Sequence, residues 1–210
     1  MSSPGSRDSS SRALKILVSG FEAFGGASVN PTQKLVEELR HPAVETVLLP
    51  VVFGDAFSVL QTAIERVRPS FVLALGQAGG RDSIELERVA LNLMDAEIAD
   101  NKGFQPREIP ISADGENALF STLPLRPLLD DLRAKGIPAR ISNSAGLFVC
   151  NDLFYRLQRL ASHQHLGLRS GFVHVPYLPE QAVGAAAGKP FMEFTTMQLA
   201  LDTMISTLLK

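Results

Sequence analysis

Cys150 is the only cysteine of the 210 residues, and His174 follows it by twenty-four positions. A free thiol has a pKa of about 8.5 and is mostly protonated at neutral pH, so a nucleophilic cysteine needs an activating environment. Two ingredients lie close in sequence. Cys150 opens a predicted helix over residues 150–160, whose N-terminus favours thiolate through unpaired N–H groups and the positive end of the helix dipole. His174, near the end of a predicted strand over 171–175, offers an imidazole to accept the proton. Ser144, Ala145 and Gly146 are small enough for backbone N–H groups to approach a developing oxyanion. The chemistry that suits this set is acyl transfer. The plainer reading of both residues is packing. Free cysteines are among the most buried residue types, Phe148 and Val149 look like core, and His174 stands between Val173 and Val175. His41, His163 and His165 fall at helix ends or in polar surroundings and are poor partners for the thiol.

The elements that must position this pair follow an α/β pattern. Residues 14–19 are an apolar run ended by Gly20, a buried strand. Asn30 and Pro31 supply a helix cap and a first-turn proline, and Leu35, Val36 and Leu39 follow at helical spacing. Residues 44–53 read as a strand interrupted by Pro50, 55–67 as an amphipathic helix, and 71–75 as a strand. Beyond Gly76 the pattern becomes irregular to Gln105, with alternating segments around Ile84 and Val89. Then come a helix over 124–135 stopped by Gly136, a strand over 139–142, the helix at Cys150, the strand at His174 and a last helix over 195–209. The expected fold is a single-domain, three-layer α/β/α arrangement spanning 13–210, with a mostly parallel sheet and the site at the carboxyl edge of the strands. A strand, helix, strand crossover between 139–142 and 171–175, both strands running the same way, would bring Cys150 and His174 to that edge.

Composition narrows the partners. Hydrophobic residues at 45% and charged residues at 20% describe an ordinary globular protein, and a formal charge of −2 provides no field to gather nucleic acid or an anionic membrane. One cysteine excludes an internal disulfide. Residues 1–12 are Ser-rich, lack the apolar region of a signal peptide, and read as a disordered leader of a cytoplasmic protein.

Five ordered blocks resemble the pyroglutamyl peptidase I family, also called pyrrolidone-carboxylate peptidases. They are the run from Gly20 to Gly26 with Asn30-Pro31, Gly76 to Arg81, Glu87 to Asn92 continuing to Asp100-Asn101, Ser144 to Asn151, and Gly171 to Gln181. The resemblance implies a Cys-His-Glu peptidase that removes an N-terminal pyroglutamyl residue from peptides, with Cys150 as nucleophile, His174 as general base and acid, and Glu87 as the carboxylate that orients the imidazole. Glu87 is not identifiable from the residues alone, where it reads as a surface acid paired with Arg81 or Arg88. The resemblance further implies that Phe21 and Phe24 flank the lactam ring, with Gln77, Ile98, Phe148 and Val149 as other contacts. It implies no metal or organic cofactor, and a homotetramer.

Several positions depart from the family pattern. Glu97 stands where many members have arginine, and a reversed charge there is expected to raise the thiol pKa. Glu85 replaces a hydroxyl residue and Leu86 a proline, so Glu85 and Glu87 face one side of a strand as a repelling pair. Ala23 and Ala99 replace prolines, and Leu147 a threonine. A family homologue with weak or altered activity is therefore an alternative. A more distant one is a nucleotide-binding module using the loop from Gly20 to Gly26, which lacks both established nucleotide fingerprints.

Overall fold

The computed structural model describes residues 14–163, 167–183 and 187–210. The leader read over 1–12 and His165 lie outside these residues. In chain order the elements are β1 (Ile16–Phe21), α1 (Pro31–Glu38), β2 (Val44–Leu49), α2 (Asp55–Val67), β3 (Phe71–Gln77), β4 (Ile84–Glu87), β5 (Val89–Leu91), β6 (Ala118–Phe120), α3 (Leu125–Ala134), β7 (Ala139–Ser142), α4 (Val149–His163), β8 (Arg169–Val175), α5 (Pro179–Ala182) and α6 (Phe194–Leu208). Asn30 caps α1 as expected, its side chain accepting from the Thr32 N–H, with Pro31 in the first turn. β6 and α5 were not anticipated. β6 is three residues long and half-buried, and α5 is a single turn, so neither leaves a periodic pattern in the sequence.

Six strands form one sheet in the order β2-β1-β3-β8-β4-β7, while β5 and β6 pair separately as an antiparallel ribbon. Apolar residues alternate between two cores, one on each face. Val18, Leu73, Leu75 and Val173 pack with α1, α3 and α6. Leu17, Val72, Ala74 and Phe172 pack with α2 and α4 on the opposite face. The result is three layers, α/β/α. The fully buried Leu153, Phe154 and Leu157 fasten α4 to its face, each contributing roughly 1.5–3 kcal/mol by burial. No helix among the described residues is long and apolar enough to cross a membrane.

One expectation is corrected. β1, β2, β3 and β8 run parallel, but β4 is antiparallel to β8 and β7 is parallel to β4. Strands β7 and β8 therefore run in opposite directions, and the crossover inferred between them does not exist. Cys150 still reaches the carboxyl edge of β8, for a different reason. Helix α4 has 15 residues and strand β8 has seven, so they are about 22 and 23 Å long and nearly equal. A helix that leads into the strand it packs on must start over that strand's end.

Candidate active site

The register of the sheet gathers the site on the face covered by α4. Gly76 of β3 pairs with His174 of β8, so their side-chain directions agree. On the other flank of β8, Glu85 pairs with His174 and Glu87 with Phe172. A Cβ on Gly76 would stand 3.0 Å from the Cys150 sulfur. The sulfur thus lies beside the strand position that neighbours His174, the two positions standing about one strand spacing, ~4.8 Å, apart. Only glycine leaves room for it there. Gly76→Ala is expected to push into both the sulfur and the Phe172 ring, which would be 2.7–2.8 Å away. Thermal unfolding should show a loss of about 1–3 kcal/mol, with reduced turnover; unchanged stability and kcat would contradict the close approach.

His174 is buried, and its Nδ1 lies 2.7 Å from Oε1 of the fully buried Glu87. A carboxylate accepts only, so Nδ1 carries a proton, and the neutral tautomer this selects has its lone pair on Nε2. Burial pushes the Cys150 thiol up to about 12, with the negative Glu87 adding to the rise. The Arg81 guanidinium and the backbone N–H of Cys150 pull the other way. The resting sulfur therefore holds its proton and needs a base. The first turn of α4 leaves the N–H groups of Val149 and Cys150 without helical partners, ready for an oxyanion. Among the small residues upstream, the Gly146 N–H is already taken by the Ser144 hydroxyl.

Beside the sulfur is a slot lined by Phe21, Phe24, Asn30, Val51, Gln77, Phe148, Val149 and Cys150, with an interior volume of ≈10 Å³. Five of the six contacts expected from the sequence line it, namely Phe21, Phe24, Gln77, Phe148 and Val149. Ile98 does not; it is exposed, 4.0 Å from where a Cβ on Gly25 would be. Phe24 and Phe148 face each other at 6.1 Å between ring centroids, and Phe53 braces Phe148 edge-on at 5.3 Å. The Gln77 carbonyl oxygen accepts from the Gln181 amide at 2.9 Å. That leaves the Gln77 amide N–H groups to donate into the slot.

A family model described as pyroglutamyl peptidase matches residues 14–210. The chain belongs to the pyroglutamyl peptidase family. It is 46% identical over 200 residues to a pyrrolidone-carboxylate peptidase of Klebsiella pneumoniae, covering 93% of this chain and 92% of that one. The corresponding protein of Brevibacillus brevis is also 46% identical over 200 residues, covering 91% and 93%. Pyroglutamyl peptidase I from Bacillus amyloliquefaciens superposes with a TM-score of 0.89 at 38% identity, covering 93% of this chain and 95% of that one. A mutant pyrrolidone carboxyl peptidase from Pyrococcus furiosus gives 0.87 at 37%, covering 92% and 97%.

Against the family pattern, Glu97 is less disruptive than its reversed charge suggests. It is exposed, and the charges acting on the thiol are those of Glu87 and Arg81. Glu85 and Glu87 do share a face, but Arg81 contacts both carboxylates and Arg140 holds Glu85, which offsets their repulsion. The loop from Gly20 to Gly26 is not open to a phosphate. The start of α1 is closed by Asn30, and the Phe21 N–H donates to the Thr32 hydroxyl. Neither alternative drawn from the sequence is favoured.

Sequence reasoning passed over three residues. Asn30 was read only as a cap and Val51 as part of a strand, yet both line the slot. Asn151 is fully buried and ties α4 to the ribbon, pairing with the N–H and C=O of Leu91 and the C=O of Leu93. A polar residue at a position where the helical period demands an apolar one was the available signal.

Proposed function

We propose that this protein is a cysteine exopeptidase that hydrolyses the amide bond after an N-terminal pyroglutamyl residue through a thioester on Cys150. The observation that carries this reading is the 2.7 Å bond from His174 to buried Glu87 on the face where the Cys150 sulfur lies. With Nδ1–H committed to Glu87, Nε2 takes the thiol proton as sulfur attacks the pyroglutamyl carbonyl. The N–H groups at the start of α4 receive the oxyanion. The imidazolium, held by Glu87, then gives its proton to the departing amine, and the C–N bond breaks. Water enters, loses a proton to the same nitrogen and attacks the thioester, so pyroglutamate leaves and the thiol recovers its proton. Because the resting thiol is protonated, the imidazole must take its proton for the sulfur to attack.

The slot sets the specificity. A lactam is small, neutral and without a free α-amino group, which suits aromatic walls with one amide donor at Gln77. The resting slot has room for about one water, so the ring enters by displacing Phe24 or Phe148 outward. An N-terminal glutaminyl residue would carry its ammonium into the same slot without a partner, at a cost of several kcal/mol. The reduced cytoplasm is the compartment that keeps such a thiol free.

Fluorogenic pyroglutamyl, glutaminyl and glutamyl amides provide the test. The pyroglutamyl compound is expected to exceed the others by roughly 10³-fold in kcat/KM. Comparable cleavage of all three would refute the lactam slot.

A further inference from the structure

Glu87 is one of four charges in a compact group whose other members have no assigned part in the reaction. Arg81, from the loop before β4, donates from one guanidinium nitrogen to Glu87 Oε1 at 3.1 Å and to the Ser142 hydroxyl at 3.2 Å. Its second terminal nitrogen donates to the Ser144 carbonyl at 3.0 Å. It also pairs with Glu85. Glu85, buried like Glu87, receives Arg140 Nε at 2.6 Å. Arg140 also lies 3.6 Å from the exposed Asp82. Ser144 begins the stretch that leads into Cys150. One planar guanidinium thus joins the acid beside the imidazole to the segment carrying the nucleophile, using its fork of donors as no lysine could.

We propose that Arg81 is a positioning residue of the peptidase: it balances Glu85 and Glu87 and holds Glu87 against His174 while anchoring the loop that carries Cys150. This rests on the reading of Cys150, His174 and Glu87 given above. The charge count explains why it matters in this chain. Two buried carboxylates stand against two guanidinium groups, and Asp82 beside Arg140 is exposed and screened by solvent, so the quartet places little net charge next to the imidazole. The other elements around His174 add little. β3 contributes no titratable side chain to this face, and α4 contributes Cys150, since Asp152 is turned to the Gly54 N–H and Arg156. Without Arg81 the imidazole faces an uncompensated negative charge, which stabilises imidazolium and removes the base. Two buried carboxylates on one face of β4, Glu85 and Glu87, make the cation necessary.

The test compares Arg81→Met, Arg81→Lys and the double variant Arg81→Met/Glu85→Gln. For Arg81→Met, kcat on a pyroglutamyl amide is expected to fall about 10²-fold with KM nearly unchanged, since Arg81 is not among the slot residues. The acidic limb of kcat/KM should move up by about one pH unit. Arg81→Lys restores the position of that limb but only part of kcat, because it returns charge without the fork. Glu85→Gln in the double variant removes most of the pH shift and relieves the buried charge, keeping the experiment valid if Arg81→Met folds poorly. The pH dependence of Cys150 alkylation by iodoacetamide is followed in parallel and needs no substrate, so a shift there stands even if the pyroglutamyl reading fails. An acidic limb in the same place for wild type and Arg81→Met, in alkylation and turnover, would overturn the proposal.

Discussion

Cys150→Ser is expected to lower hydrolysis of a pyroglutamyl amide by about 10⁴-fold or more, leaving only what binding and backbone donors supply. A serine hydroxyl is a far weaker nucleophile than sulfur, and the site has been fitted to a sulfur beside Gly76. Binding should survive, because Cys150 occupies one end of a slot whose other walls are untouched. Isothermal titration with a pyroglutamyl peptide and the serine variant separates the two effects. Alkylation of the wild type carries a matching signature. A thiol raised to about 12 remains protonated throughout the neutral range, and its thiolate fraction grows tenfold per pH unit below that value. In His174→Ala, where no base assists, iodoacetamide should react progressively faster up to strongly alkaline pH. A plateau near pH 8 would mean that the thiol is activated without the imidazole.

The second large effect is expected at Glu87. Glu87→Gln keeps the shape and an oxygen for Arg81, but its amide can no longer serve as the anionic acceptor for Nδ1–H. Where the amide donates instead, the imidazole adopts the other tautomer and turns an Nε2–H toward the sulfur. Loss of a comparable tautomer control in a serine triad costs about 10⁴-fold, and a loss of 10³–10⁴-fold in kcat is expected here. KM should change little, since Glu87 does not line the slot. The result that would tell against this role is a kcat within tenfold of wild type in a folded Glu87→Gln protein.

The parts of the fold that proved legible were those with strong local signals. The Asn30-Pro31 helix start, the amphipathic run of α2 and the strand β7 all left periodic or capping patterns, and the structure places them at or within a few residues of the expected bounds. Strand direction left none. β7 and β4 carry no local mark of running against β8, because direction is set by which edge the connecting chain can reach. Within the site, Cys150 stood out as a lone thiol at a helix start and His174 as the histidine on a buried strand. Glu87 looked like any charged residue on a short strand, and only the family blocks singled it out. Its partner Arg81 is separated from Ser142 and Ser144 by about sixty positions, a proximity no periodicity reveals. Ile98, exposed and not among the residues lining the slot, differs from the expectation for a related reason. Its loop was located by resemblance, while the side chain's exposure is decided by how the loop bends at Glu97 and Ile98.

The most direct measurement is mass spectrometry of the protein quenched in acid during turnover of an activated pyroglutamyl ester, whose fast acylation lets the intermediate accumulate. The expected spectrum shows one pyroglutamyl group, labile to hydroxylamine and mapped to the peptide containing Cys150. Turnover with no acyl group on any residue, or with the group on a residue other than Cys150, would contradict covalent catalysis by this sulfur.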